Sequence, residues 1–445
     1  MALVTGIDRR IIRRNALTMP DNTPQTIVNS PSKILFASLI GTTIEYFDFY
    51  IFGTAAVLVF PKLFFSEANP SMAILQSLAT FGLAFVARPV GSALFGHFGD
   101  RIGRKATLVA SLLTMGLSTI LIGLLPTYAS IGMAAPVLLA ICRFGQGLGL
   151  GGEWGGAILL ATENAPPEKR AWYGSFPQLG GPIGFFLSGS VFLLLTTQLP
   201  EADFLEWGWR IPFLSSAVLV LVGFYVRLSI AETPQFKKMA AQNAQVKVPF
   251  ATVVTQHTRS MVLGMLTGVG QFVLFYLMTV FTLSWATSSL GYSRQSFLQL
   301  QLIAVLFFAL FIPIAAKISD SKGRTTALTW GSVGICVLGL FLGPLLQAGS
   351  LTTVLALSIG MALMGMCFGP LGYLMADLFP TEVRYTGASL SFNLSAILGA
   401  TFAPYIATWL ATHVGLEYVG YYLSTMASIS VLALLMVKKM QHQNP

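Results

Sequence analysis

The sequence predicts an all-α membrane protein that crosses the bilayer twelve times as two similar six-helix bundles. Only 10% of the 445 residues are charged, against roughly a quarter in soluble domains, and the mean hydropathy is +0.73. The apolar residues come in blocks of about twenty, enough for an α-helix to cross ~30 Å of hydrocarbon. A polar decapeptide between the second and third blocks, GHFGDRIGRK, has a counterpart 220 residues later.

The twelve expected spans divide six and six about the longest loop, residues 230–258. Residues 1–33 hold Arg9, Arg10, Arg13 and Arg14 among Pro, Asn and Thr. They lack the apolar core and small-residue site of a signal peptide and are expected to remain as a disordered cytoplasmic tail. The first bundle, 34–229, opens with a span over 34–60 carrying Glu45 and Asp48, three apart and so on one helix face. The second span, 72–95, carries Arg88, and the third is 106–125. The fourth, 134–161, carries Arg143 and Glu153 within RFGQGLGLGGEWGG (143–156). Inside a span those glycines permit close helix contact, and no Walker-type lysine follows to suggest phosphate binding. The fifth, 172–197, contains Gly180, Gly181 and Pro182, a candidate hinge, and the sixth is 210–229. The second bundle, 259–437, has spans over 259–284, 297–317, 326–346, 352–378, 387–411 and 420–437. Gly369–Pro370 and Pro404 are its candidate bends, and residues 438–445 form a short tail.

Basic residues set the orientation. With the N-terminus inside, 21 of the 26 Lys and Arg lie in tails, inner loops or inner helix ends. Lys62, Arg210 and Arg294 lie outside, and Arg88 and Arg143 lie within spans. That bias places both termini in the cytoplasm. The net charge of +9 is spread over many inner loops and forms no stripe suited to nucleic acid. Trp207 and Trp209 fit an aromatic belt at the outer interface. Cys142, Cys336 and Cys367 are odd in number and unclustered, which argues for packing and against a disulfide framework. His97, His257, His413 and His442 lack partners at metal-ligand spacing, so no metal or cofactor is expected. No Ser/His/Asp or Cys/His set lies on facing spans, and the chain is not read as an enzyme.

The polar signatures come in pairs. In GHFGDRIGRK (96–105) and AKISDSKGRT (316–325), Asp100, Gly103 and Arg104 align with Asp320, Gly323 and Arg324. In ENAPPEKR (163–170) and DLFPTEVR (377–384), Glu163, Pro166, Glu168 and Arg170 match Asp377, Pro380, Glu382 and Arg384. The chain therefore reads as a duplicated six-helix unit. Gly96 and Gly103 allow a short turn and close approach of a neighbouring helix. Asp100 can accept backbone N–H bonds at the N-terminus of a helix from the other half, where the dipole favours an anion. Arg101, Arg104 and Lys105 can meet anionic lipid and nearby carboxylates. These residues, their counterparts, and the Glu163/Arg170 and Asp377/Glu382/Arg384 sets form a candidate latch between the halves. The plainer alternative is a solvated turn that only sets topology. Ala316 replaces the first glycine in the second copy, which is expected to be the weaker latch.

The duplicated Gly-x-x-x-Asp-Arg-x-Gly-Arg-Lys loop resembles that of the major facilitator superfamily. SLIGTTIEYFDFYIFG (38–53), RFGQGLGLGGEWGGA (143–157), WGWRIPF (207–213) and LFPTEVRYTGAS (378–389) are similar to its metabolite:H+ symporter branch. That branch includes shikimate, α-ketoglutarate, citrate and proline/betaine permeases. The resemblance implies secondary active transport by alternating access across a bacterial cytoplasmic (inner) membrane, in a protein expected to work as a monomer.

Glu45, Asp48, Arg88, Arg143 and Glu153 are the ionisable groups expected within spans, all in the first bundle. Each, left alone at the bilayer centre, would cost roughly 2.5–3.5 kcal/mol. They must pair or line water, and similar depths suggest Glu45–Arg88 and Asp48–Arg143. Three acids against two arginines leave one carboxylate over as a natural proton carrier. Arg143 and Arg88 are expected at a substrate pocket, with the neutral groups Gln146, Gln178, Gln271, Tyr276 and Asn393. The expected scheme has a substrate carboxylate bind Arg143 bidentately and displace its acid, which then loads a proton. Permanent structural pairs are the alternative for both arginines, and Glu153 reads alternatively as a gating or helix-end residue. The leading expectation is thus proton-coupled symport of a mono- or dicarboxylate. A zwitterionic osmolyte carrier, a proton-antiport exporter and a transporter-like sensor are the alternatives. The short end KKMQHQNP after the last span counts against the osmosensing type.

Overall fold

The computed structural model describes residues 30–65, 70–242 and 246–443, so residues 1–29 of the expected tail lie outside the described residues. Among the described residues, twelve helices are long and apolar enough to span a membrane. In the first half they are α1 (Pro31–Leu58), α2 (Pro70–Arg101), α3 (Arg104–Leu124), α4 (Ala134–Glu163), α5 (Arg170–Gln198) and α6 (Arg210–Leu228). In the second half they are α7 (Thr258–Ser289), α8 (Arg294–Lys322), α9 (Thr326–Gln347), α10 (Ser350–Asp377), α11 (Arg384–His413) and α12 (Leu416–Gln443). Pro31 sits in the first turn of α1, where its missing N–H costs nothing.

The packing plan of the first half recurs in the second. α1 lies on α5, α4 on both α2 and α3, and α3 on α6; α7 lies on α11, α10 on both α8 and α9, and α9 on α12. The halves meet where α5 runs against α8 and α10, and where α2 and α4 run against α11. Outward-facing side chains such as Val218, Leu221 and Leu310 are as apolar as the buried ones. Hydropathy therefore gives the length of each span but not the face it turns inward.

Four local features differ from the sequence reading. The decapeptide is mostly helix: α2 continues through Asp100 to Arg101, and only Ile102 and Gly103 turn the chain into α3. Gly103 has φ +129°, and Gly323, its counterpart, has φ +107°, a region that side-chain-bearing residues avoid. The central segment 230–258 holds two short helices, Pro234–Ala241 and Pro249–Gln256. Trp207 is exposed, but Trp209 is fully buried, edge-on to Phe60, Phe64 and Phe213 at 5.7–5.9 Å, and so is no part of an interfacial belt. α5 and α10 run unbroken through Pro182 and Pro370, whereas α7 and α11 each widen into a π-type turn, at Leu277–Phe281 and Ile397–Thr401. Pro404 follows the second of these at the start of a new helical segment.

The glycines of α4 set how closely it can be approached. A Cβ at Gly151 would overlap the Arg88 carbonyl of α2, one at Gly149 would crowd α3, and one at Gly155 would overlap Ser389 of α11. α2 and α4 are held at backbone contact there, which fixes the depth of Arg88. Gly151→Ala is expected to cost on the order of 1–3 kcal/mol through overpacking. It should appear as a lowered thermal midpoint and folded yield in detergent; an unchanged midpoint would show that α2 can retreat freely.

Candidate functional site

At one end of the bundle, carboxylates from each half cap a helix of the other. Asp100, fully buried, accepts from the N–H groups of Tyr385 (3.2 Å) and Thr386 (3.0 Å) and from the Thr386 hydroxyl (2.8 Å) at the start of α11. Asp320 accepts from the N–H groups of Ala171 and Trp172, both at 2.9 Å, at the start of α5. Each helix N-terminus thus finds an anion for its free donors. Gly96 makes room, since a Cβ there would stand 2.8 Å from the Thr386 Cα.

Of the basic residues at this end, Arg104 is internal, whereas Lys105, Arg170, Arg324 and Arg384 are half-buried. Arg104 is fully buried and does not face lipid; it pairs with Asp100 at 3.1 Å and Glu163 at 3.5 Å and donates to the Thr381 carbonyl at 3.3 Å. Arg384 approaches Glu163 at 3.8 Å, and in the second copy Arg324 pairs with Asp377. Arg101 is exposed at the end of α2, and among the described residues Arg170 and Glu382 make no ion pair. The segment joining the halves adds to the cluster. Glu232 accepts from the Lys105 N–H at 3.1 Å, Thr233 donates to Glu163 at 2.6 Å, and the Phe236 ring lies 5.2 Å under the Arg104 guanidinium.

Deeper in the first half, the charges pair differently from the sequence expectation. Glu153 forms an ion pair with Arg227, one of the 21 basic residues that the charge bias places on the inner side, and Arg227 is buried. Arg227 also donates to the Leu108 carbonyl, and its guanidinium lies over Gly41, where a Cβ would collide with it. Among the described residues Glu45 makes no ion pair, and one of its oxygens lacks a hydrogen-bond partner. Arg227 and then Arg88 are the cations whose fields reach it most strongly. Asp48 accepts from Ser216 and faces Thr119, so the expected Asp48–Arg143 pair is absent. The expected Glu45–Arg88 pair is likewise not made as a contact. With Arg227 counted, three arginines face three acids, and the surplus carboxylate inferred from the sequence disappears.

Neither Arg88 nor Arg143 has a carboxylate partner among the described residues. Arg143 is sealed by Phe52, Phe49 and Phe81 at 4.1–4.8 Å, donates to Gln146 at 3.0 Å, and leaves one guanidinium nitrogen unbonded. Gln146 passes a bond of 2.7 Å on to Thr119. Arg88 stacks on Phe49 at 4.5 Å and Phe85 at 4.9 Å, and its Nε lacks a partner. Ring faces offset part of the several kcal/mol that burying an ion costs, but each of these guanidiniums keeps an unbonded nitrogen and has no counter-charge in contact. Both guanidiniums are therefore under-compensated.

Arg88 lines a cavity of ≈ 30 Å³ between the halves, whose other walls include Tyr50, Phe275, Tyr276, Phe308 and Phe368. Of the residues expected at a pocket, Arg88 and Tyr276 line it. Gln178 instead ties Trp154 at 2.9 Å to the Phe368 carbonyl at 2.8 Å. Asn393 donates across the halves to Ser92 at 2.8 Å, and Gln271 is buried with both amide atoms unpaired. Among the described residues no three His, Cys, Asp or Glu side chains gather as a metal site would need.

Two duplicated halves, meeting at a buried cavity and clamped at one end by reciprocal helix caps, find a counterpart among known families. The family model of the Major Facilitator Superfamily matches residues 38–397. The chain belongs to the major facilitator superfamily. It is a membrane transporter and not an enzyme. The inner membrane metabolite transport protein YhjE of Escherichia coli (strain K12) is 54% identical over 439 residues, spanning 97% of this chain and 100% of its own. The shikimate transporter of the same organism is 34% identical over 412 residues, 91% of this chain and 94% of its own. The proton:xylose symporter XylE shares the fold, with a TM-score of 0.74 at 19% identity over 92% of this chain and 95% of its own. With twelve apolar spans and such relatives, this transporter is a multi-pass inner-membrane protein.

Three features of the site in this superfamily member escaped sequence reasoning. Arg227 was signalled indirectly, because an acid surplus in a bilayer interior itself calls for one more cation. Glu232 and Tyr385 carried no pattern that separates them from other loop and helix-start residues. Tyr385 nonetheless bridges the halves, since its N–H donates to Asp100 and its hydroxyl donates to the Gly152 carbonyl at 2.6 Å.

Proposed function

We propose that this transporter carries a small organic anion together with a proton, through a site between its halves that opens to each side in turn. Arg88 carries the reading: a guanidinium on the inter-half cavity with no carboxylate partner and an unbonded nitrogen. An anionic substrate supplies what the site lacks, through charge-assisted and bidentate bonds.

Charge balance supplies the coupling. Glu45, Asp48 and Glu153 are balanced by Arg88, Arg143 and Arg227 when all six are ionised. An anion at Arg88 tips that balance by one and takes up the field that had compensated Glu45. A proton on Glu45 restores neutrality, and by linkage the proton favours the anion as the anion favours the proton. The loaded, neutral site then exchanges sides at less cost than a charged one. Asp48 is the second acid able to carry a proton, reached from Arg143 through Gln146 and Thr119. The positive-inside bias puts the capped end in the cytoplasm, so the conformation is closed to that side.

Proteoliposomes with an imposed acid-outside gradient test this with succinate, shikimate and 4-hydroxybenzoate. Uptake of at least one acid with alkalinisation of the medium is expected; uptake without it would refute proton symport. In Glu45→Gln, gradient-driven accumulation should fall at least tenfold while exchange of labelled for unlabelled substrate continues. Full accumulation in that variant would remove Glu45 as the carrier.

A further inference from the structure

We infer that the anion taken by this site is a monocarboxylate on a planar six-membered ring that bears hydroxyl groups. The inference rests on the anion-transport reading above and narrows its substrate class.

Charge fixes the number of carboxylates. Among the described residues Arg88 is the one charged side chain on the cavity lining, and nine of the twelve lining residues are aromatic. A second carboxylate would find no second cation, because Arg143 is shut off behind Phe49, Phe52 and Phe81, and neutral phenols alone do not offset a buried charge. A quaternary ammonium would share the cavity with a guanidinium and find no acidic side chain on its walls. One carboxylate on an otherwise uncharged body matches this lining.

Ring spacing fixes the shape of that body. The rings of Tyr50 of α1 and Phe275 of α7 approach each other across the junction, with centroids 6.4 Å apart and planes tilted by 41°. A flat ring held between two ring faces needs roughly 7–8 Å, twice the ~3.5–4.0 Å carbon contact. The present ≈ 30 Å³ holds about one or two waters, and parting the halves by about 1 Å with the rings turned parallel makes the slot. A saturated, puckered or branched body requires more. Stacked and edge-on aromatic contacts then favour the ring beyond its burial alone.

Hydroxyls complete the match. Tyr46, Tyr50 and Tyr276 all line the cavity, and among the described residues their phenol groups make no hydrogen bond to the protein. Each can donate and accept, so three such groups beside a ring-sized slot suit ring hydroxyls.

Calorimetric titration of the detergent-purified full chain with 4-hydroxybenzoate, benzoate, succinate and glycine betaine tests the assignment. 4-Hydroxybenzoate should bind at least tenfold more tightly than succinate, and about fivefold more tightly than benzoate for its added hydrogen bond. Tyr46→Phe, Tyr50→Phe or Tyr276→Phe should narrow the second ratio; a ratio unmoved in all three overturns the hydroxyl assignment. Succinate binding in preference to both ring acids overturns the inference and leaves anion transport standing. Betaine binding alone, or no binding by any of the three acids, overturns both.

Discussion

Arg88→Gln is expected to weaken binding of the transported anion about 100-fold and to abolish the proton uptake that accompanies it. The magnitude follows from losing a hydrogen-bonded charge contact worth ~3 kcal/mol, at 1.4 kcal/mol per tenfold change. The effect is specific because Arg88 stands on the cavity while making no ion pair that its loss would orphan. Arg143→Gln gives a contrast. Arg143 is fully buried and bonded to Gln146, so its loss should disturb folding and the Thr119–Asp48 region before it alters direct anion contact. Equilibrium binding on both variants, paired with a thermal midpoint, separates the two. If Arg88→Gln binds like the parent protein and Arg143→Gln does not, the anion lies behind Phe49 and the site has been placed on the wrong guanidinium.

Asp100→Asn is expected to slow turnover ten- to hundredfold while changing anion affinity by less than about threefold. Hydrogen bonds to an ionised acceptor are worth ~1.5–3 kcal/mol, roughly twice neutral ones. Asp100 receives three such bonds from α11 and holds Arg104 as well. Asparagine keeps one acceptor oxygen and loses the charge that favours the α11 N-terminus, so the capped state loses population to the opened one. Thiol labelling of a cysteine placed near the cavity should rise from the capped side, and initial uptake rates should fall. Asp320→Asn should act in the same direction but more weakly, because Asp320 takes two bonds and Arg324 pairs elsewhere, with Asp377. Equal uptake rates in Asp100→Asn and the parent would leave the Asp100 cap a static contact with no part in switching.

The spans and their duplication were legible because both are written in strong, redundant signals. Twenty-residue apolar runs announce themselves, and Asp100 and Asp320 recur in register with the same neighbours. The helix-capping geometry of Asp100 followed from the dipole of a helix start. Which charges meet was not legible. Glu45 and Arg88 share a depth, as do Asp48 and Arg143, but partners also need matching azimuths. In a helix that is apolar on every face, nothing in the sequence says which way a side chain points. Arg227 shows the same limit, being two residues from a span end in sequence yet drawn inward to Glu153 over the space that Gly41 leaves. The aromatic cavity was invisible for the opposite reason. Phenylalanine is so frequent, 33 residues, that the ones lining the site do not stand out from those facing lipid or core.

Net proton uptake on anion binding, measured with a pH indicator in weakly buffered detergent solution, bears most directly on the claim that Arg88 and Glu45 couple the two ligands. One proton taken up per anion bound is predicted for the parent protein, with the proton lost and anion binding retained in Glu45→Gln. Anion binding that takes up no proton at any pH at which the parent transports, or undiminished uptake in Glu45→Gln, would contradict it.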